Sequence, residues 1–337
     1  MTRRRATVAG CLAGLLLTAL LCGILFGPTS LGVREVWRAL LPGRSGGTVP
    51  AHVVSIVHRI RLPRAVLGAL VGAALSLSGA ALQGLFRNPL ASPYVLGVAG
   101  GAAAGAALAI LLAGPHTWLL PVGAFVGAII AVTLVYGLAR GRDRRTSTFT
   151  LILAGVAVSA LFGAVTSFAI FVSSRGERMA DIVFWMLGGL GRADWTDILI
   201  LCPVVLAGLL VLVALAPRLN ALARGEQGAF HLGVHPERTT RWILLLTTLL
   251  TATAVSMAGT IGFVGLIIPH LLRLLIGSDH RVLLPASAIG GAAFLVWADL
   301  AARTLLRPVE LPVGILTAFL GAPFFLFLLR TQARRPS

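Results

Sequence analysis

PRLNALARGEQGAFHLGVHPERTTR, residues 217–241, is the longest polar break in a chain that otherwise alternates apolar runs with short basic turns. Within it, Asn220 is placed to cap a short helix, Gly225 to break it, and Glu226–Leu232 to form a second one ended by Gly233. Two such stubs, rich in Ala and Gly, present a compact surface and cannot make another membrane span. The same stretch also reads as an ordinary connecting loop. The rest of the chain decides between the two.

Hydrophobic residues make up 57% of the chain and charged ones 12%, with a mean hydropathy of +0.94. That composition excludes a soluble domain. A span needs roughly 20 mostly apolar residues to cross about 30 Å of hydrocarbon. Ten stretches qualify: 7–26, 65–86, 94–113, 117–139, 148–172, 196–216, 242–258, 261–276, 282–303 and 311–330. The sequence therefore predicts an all-α integral membrane protein of ten transmembrane helices in one permease-sized domain, with 217–241 as a loop between spans six and seven. The eighth span, marked by Gly262, Gly265 and Pro269, is expected to be tilted or broken. Arg3, Arg4 and Arg5 ahead of an apolar run look like a signal peptide. No small-x-small site follows Phe26, so the reading is a retained first helix.

Every basic residue is Arg, and a chain without Lys cannot contain the nucleotide-binding GxxxxGK[ST] loop. If ATP drives this protein, another chain binds it. The net charge of +17 lies along hydrophobic spans, which points to orientation in a membrane and away from nucleic acid. With the N-terminus inside, seventeen of the 28 arginines face the cytoplasm, including Arg140, Arg142, Arg144 and Arg145, so N-in, C-in is the expected topology and 217–241 is cytoplasmic. The arginines left outside gather at Arg59, Arg61 and Arg64, which begin the second span, and at Arg303 and Arg307, which end the ninth. They read either as interfacial anchors or as a basic rim that docks an acidic partner.

Gly97, Gly101 and Gly105 on the third span, with Gly123 and Gly127 on the fourth, form small-residue ladders for close helix packing. Thr148, Ser159, Thr166 and Ser167 on the fifth span are a polar stripe that either lines a water-accessible path or bonds back to its own helix. Ser76-x-x-Gly79 with Gly84-Leu85 and Pro89 is echoed by Ser256-x-x-Gly259 with Gly265-Leu266 and Pro269, five spans later and in the opposite direction. Such an echo implies two five-helix halves of inverted topology. Asp299 is the main intramembrane charge, with Arg303 one turn away as its partner. Cys11, Cys22 and Cys202 are odd in number and fit neither disulfide nor zinc spacing, so they read as packing residues. The seven His show no HExxH or other ligand spacing, and neither a GxSxG elbow nor a midmembrane carboxylate pair is present. A metal site and an enzyme are both unexpected. A secondary, ion-coupled carrier remains as the rival transport reading.

The chain resembles the FecCD family, the permease subunits of type II ABC importers for iron-siderophores, haem and vitamin B12. The resemblance is carried by RLPR (61–64), SGAALQGLFRNPLASPYVLG (78–97), LAGVAVSAL (153–161), FWMLGGL (184–190), NALARGEQGAFHLGV (220–234), MAGTIGFVGLIIPHLLRLLIGSDHRVLLP (257–285), ADLAAR (298–303) and ELPVGILTAFLGAPFF (310–325). It implies a homodimer in a bacterial inner membrane, two ATP-binding subunits carrying ATP-Mg below, and a periplasmic or lipid-anchored binding protein above. No cofactor is implied on this chain. Under the resemblance Asn220, Ala221, Leu222, Ala223, Arg224, Gly225, Glu226, Ala229, Leu232 and Gly233 couple to the ATPase. Arg61, Arg64 and Arg303 fall where the family docks its binding protein. Asn88, Leu90 and Thr148 fall where the B12 branch has cytoplasmic gates, although Phe149 replaces a small hydroxyl residue there. Spans five and ten would line the path, with Ser159, Thr166 and Ser167 on it. A ferric siderophore is the first expected cargo, followed by haem and cobalamin.

Overall fold

The structure is a computed structural model and describes residues 3–40, 49–140, 148–173 and 176–333. Arg44, Arg142, Arg144, Arg145, Arg175, Arg334 and Arg335, all used in the orientation argument, lie outside the described residues. The described chain is helical: α1 (Arg3–Leu25), α2 (Val33–Leu40), α3 (Ala51–Leu85), α4 (Val98–Ala113), α5 (Leu119–Ala139), α6 (Thr148–Val172), α7 (Arg178–Met186), α8 (Trp195–Leu222), α9 (Glu226–His231), α10 (Pro236–Ala258), α11 (Val264–Ile276), α12 (His280–Ala302) and α13 (Val313–Ala333). Seven of these are long and apolar enough to cross a membrane: α1, α3, α5, α6, α8, α10 and α12. The other three predicted spans correspond to α4, α11 and α13, whose apolar stretches are shorter.

The bundle is organised around α3, the most buried of the spanning helices. It packs against α12, α10, α8 and α11, while α4, α5 and α6 form a group joined to it mainly through α10. Hydrophobicity does not drive helices together in lipid, so close approach through small residues must do that work. A methyl on Gly101 would sit 2.3 Å from the Gly127 carbonyl oxygen, and one on Gly105 would sit 2.0 Å from that of Gly123. The expected ladder is therefore an α4–α5 seam. Gly97 does not belong to it; with φ 79° it turns the chain from a short 3-10 segment, Pro93–Leu96, into α4.

Three expectations need correction. The second span begins at Ala51, fourteen residues before the predicted start at 65, and passes through a π-helical stretch, Ile56–Arg61. Pro63 cannot donate to the preceding turn, and one extra residue in that turn accommodates the ring. Asn220 does not start a helix: α8 runs through Pro217 to Leu222, so the first predicted stub is the end of a long helix. The broken eighth span is real, but the break precedes α11. Gly259 (φ 68°) and Phe263 (φ 67°) interrupt the chain after α10, leaving a helix of 13 residues. At 1.5 Å per residue that is about 20 Å, short of the hydrocarbon thickness. The Tyr94 hydroxyl donates to the Ile261 carbonyl at 2.8 Å and accepts from Ile261 N–H at 3.1 Å, holding the break in place. Cys22 and Cys202 are half-buried, whereas Cys11 lies exposed on α1.

Candidate functional site

The 217–241 segment leaves α8 at Leu222, turns at Gly225 and enters α9. Gly225 has φ 105° and ψ 156°, a region that side-chain-bearing residues avoid, so the break at this position belongs to glycine. Gly233, in the left-handed region at φ 75°, ends the short helix as expected. Ala221, Leu222 and Ala229 are buried in a small core of their own with Leu85 and Val234 at its edge. Ala223, Arg224, Leu232 and Gly233 are exposed, and so is Phe230, which the sequence reading passed over. Phe230, on α9, and Leu232, at its C-cap, both stand about 60% exposed in an otherwise polar stretch. The side chains of Glu226 and Thr148 are outside the described set.

Asn220, expected at the surface, is turned inward. Its amide donates to Asp279 Oδ1 at 2.7 Å, and its carbonyl accepts from His280 N–H at 3.0 Å with His280 Nδ1 at 2.7 Å. One side chain thus pins the start of the loop to the start of α12. The Asn220 hydrogen bond is the main cause holding the Asp279 carboxyl below the ordinary carboxylate range; burial opposes it, and Arg281 N–H with the charges of Arg281 and Arg5 assist. A depressed pKa contributes stability that is present above the unfolded-state value and lost as pH falls through the folded one. Asn220→Ala is expected to lower the thermal midpoint at neutral pH, by the equivalent of about 1–2 kcal/mol. The gap to the parent should narrow below about pH 4, where the unfolded carboxylate takes up its proton. A gap that persists unchanged at pH 3 would mean that the aspartate contributes nothing.

At the C-terminal end of α3, Arg87 adopts φ 50° and closes a turn in which Arg87 N–H reaches Gly84 O and Asn88 N–H reaches Gln83 O. Asn88 Oδ1 accepts from Leu90 N–H at 2.9 Å, so the two predicted gate residues share one tight turn. Ser159 and Thr166, two turns apart, share one face of α6, and that face is packed and does not line an open path. Ser159 packs against Gly97 and Gly100, and Thr166 is buried and bonded back to Phe162 O at 3.0 Å; only Ser167 is exposed. A cavity of about 540 Å³ opens instead beside Thr260, Gly314, Ala318 and Phe319, against α13.

The three arginines expected on an open rim are all interior: Arg61 is 2% exposed, Arg64 6% and Arg303 1%. Helix α1 ends with unpaired carbonyls, and the arginines cover them. Arg61 donates to Ile24 O, Leu25 O and Thr29 O at 3.1, 2.7 and 2.5 Å, and Arg303 donates to Gly23 O at 2.6 Å. Arg64 grips Asp299 with Nε at 3.0 Å and Nη2 at 2.9 Å, and reaches Glu310 Oε2 at 2.7 Å through Nη1. Arg303 Nε lies 3.2 Å from Asp299 Oδ2, an ion-pair contact whose N–H is not aligned for a hydrogen bond. The Asp299–Arg303 pairing was legible at one-turn spacing. Arg64 and Glu310 were not, because no local pattern links positions so far apart. Arg59 and Arg307 remain exposed at the same end.

Comparison with known proteins follows the same outline. The profile of the FecCD transport family matches residues 15–331. The cobalamin import system permease protein BtuC of Halobacterium salinarum is 51% identical over 287 residues, covering 85% of this chain and 76% of that protein. The hemin transport system permease protein HmuU of Yersinia pestis is 39% identical over 316 residues, covering 92% of this chain and 91% of its own. A solved structure described as an inward-facing conformation of a metal-chelate type ABC transporter superposes with a TM-score of 0.84 at 33% identity, over 97% of this chain and 99% of that one.

Proposed function

The chain belongs to the FecCD transport family and is a multi-pass membrane permease component of an ABC importer; from that premise we propose that it carries a cobalamin-type cargo into the cytoplasm of a bacterium. The observation that carries the cargo assignment is the 51% identity to a cobalamin permease, which moves cobalamin ahead of the ferric siderophore placed first from sequence. Haem follows, supported by the hemin permease. The ion-coupled carrier is not favoured: Asp299, the main intramembrane carboxylate, is clamped between two arginines and is not free to bind and release a coupling ion.

In this reading all ten apolar stretches cross the membrane, α4, α11 and α13 as short or tilted spans, in two inverted halves with both termini inside. Two copies of the chain face each other through α6 and α13, whose large apolar side chains point outward, Phe149 and Phe319 among them. Two ATPase subunits bind ATP-Mg and seat α9 in a groove, with Phe230 and Leu232 as the apolar contacts and Asn220 as the positioning residue behind them. The binding protein docks on the opposite end, where Arg59 and Arg307 are accessible; Arg61, Arg64 and Arg303 shape that end from within. ATP binding draws the two α9 elements together and the dimer alternates between access states, with Asn88 and Leu90 at the cytoplasmic exit. The chain breaks no bond.

The test is ATPase activity of the complex in lipid, with a co-encoded binding protein empty or loaded with cobalamin, hemin or a ferric siderophore. Turnover should rise most with cobalamin. Leu232→Asp should abolish that rise by placing a charge in an apolar contact. Equal stimulation by all cargoes would remove the assignment, and an unaffected Leu232→Asp complex would remove the role of α9.

A further inference from the structure

A groove of about 500 Å³ runs between α5 and α10 near the cytoplasmic end of the bundle, with Leu96 and, on α6, Leu151 also lining it. Its walls are apolar, with Val132 on α5 and Leu245 on α10, and neighbouring side chains Ile130 and Leu134 on α5 point outward, as membrane-facing positions do. Three features sit at the mouth: Arg238, Arg241 and Trp242, all exposed, on the first turns of α10. Arg241 is 3.7 Å from Glu237, a loose exposed contact that leaves most of its donors available, and Arg238 has no partner among the described residues. Inside, the hydroxyls of Tyr136 and Thr248 are shielded from solvent and lack a hydrogen-bond partner among the described residues. Unpaired buried hydroxyls are uncommon, because each forfeits a bond it would have made in water.

We propose that this groove is a binding site for an anionic phospholipid of the cytoplasmic leaflet. The chemistry is complementary at each depth. The phosphate is held by the two guanidiniums, which can grip it with paired donors; Trp242 sits at headgroup level, where its amphipathic ring is favoured. Tyr136 lies one turn from the end of α5 and offers its hydroxyl to an ester carbonyl just below the phosphate. An acyl chain fills the apolar length beyond, past Thr248, which lies two turns below Arg241 on α10, about 10 Å deeper. A basic pocket between spanning helices on the cytoplasmic side has this selectivity by construction. The proposal rests on the membrane orientation above but not on the ATPase or the cargo, so it stands or falls separately from them.

The test is native mass spectrometry of the purified protein, with the subunits that accompany it, after equilibration with phosphatidylglycerol or phosphatidylcholine. Phosphatidylglycerol should be retained in preference. Removing both charges in Arg238→Gln/Arg241→Gln should weaken retention about thirtyfold, at roughly 1 kcal/mol for each basic residue facing an anionic headgroup. Leu245→Trp, which fills the groove without touching the charges, should also lose the adduct. Millimolar inorganic phosphate should not displace the lipid, because the acyl chain contributes to binding. Equal retention of phosphatidylcholine, adducts that survive both variants, or displacement by phosphate would overturn the proposal. So would efficient crosslinking of Leu245→Cys to a second copy of the chain, which would make the groove a protein interface.

Discussion

Asp299→Ala is expected to destabilise the chain by about 3–5 kcal/mol, because removing one partner of a buried ion pair leaves the others uncompensated. Here a single carboxylate faces two guanidiniums, and all three side chains are almost fully buried. Arg64 would keep Glu310, which is partly exposed and tolerates reorganisation. Arg303 would keep only the Gly23 carbonyl and would be left as a buried charge without a counter-ion. The measurable result is a fall in the thermal midpoint of the detergent-solubilised protein and a loss of monodisperse yield. Asp299→Asn, which keeps one acceptor oxygen, turns the other into a donor amide and removes the charge, should lie between the alanine variant and the parent. The double variant Asp299→Leu/Arg303→Leu should be more stable than Asp299→Ala, since it removes the orphan along with its partner. If Asp299→Ala melts within a degree of the parent, the cluster does not hold this end together.

That cluster also marks the limit of what the sequence could say. One-turn spacing exposed Asp299–Arg303, and the RLPR block drew attention to Arg61 and Arg64, but their neighbours were invisible. A row of arginines at a span end looks the same whether it faces a partner protein, headgroups or the carbonyls of a neighbouring helix end. Only the fold reveals that α1 terminates against them. The same charges hid the start of α3. His58, Arg59, Arg61 and Arg64 broke the apolar run, yet the helix continues because His58, Arg61 and Arg64 find partners inside while Arg59 faces outward. Asn220 failed for the opposite reason. Asn220 ahead of Ala221-Leu222-Ala223 is a convincing start signal locally, but packing of Leu215, Leu219 and Leu222 carries α8 through it. The spacing of Gly225 and Gly233 survived because backbone conformation is a local property that glycine announces.

Gly79→Ala is expected to be nearly as damaging as the loss of Asp299, for a steric reason. The added methyl would lie 1.8 Å from the Gly265 carbonyl oxygen, 2.5 Å from its carbon and 2.7 Å from its Cα. All three are backbone atoms, so no side chain can swing aside; α3 and α11 must separate. Overpacking a tight core costs about 1–3 kcal/mol when side chains can adjust, and here they cannot. Gly265 is held small by other neighbours: a methyl there would lie 2.5 Å from the Leu75 carbonyl oxygen and 3.0 Å from Pro93 Cδ. No second-site trimming can relieve the clash, since both positions already lack a side chain. Gly10→Ala is the control: a methyl there meets nothing within 4 Å, so the exposed helix α1 should lose no stability. The readout is the thermal midpoint and the fraction eluting as a single species, Gly79→Ala against Gly10→Ala. A Gly79→Ala protein as stable as the control would mean that α3 and α11 are not held in contact. The short α11 would then be free to move against the centre of the bundle, as a helix that follows a backbone break could do during transport.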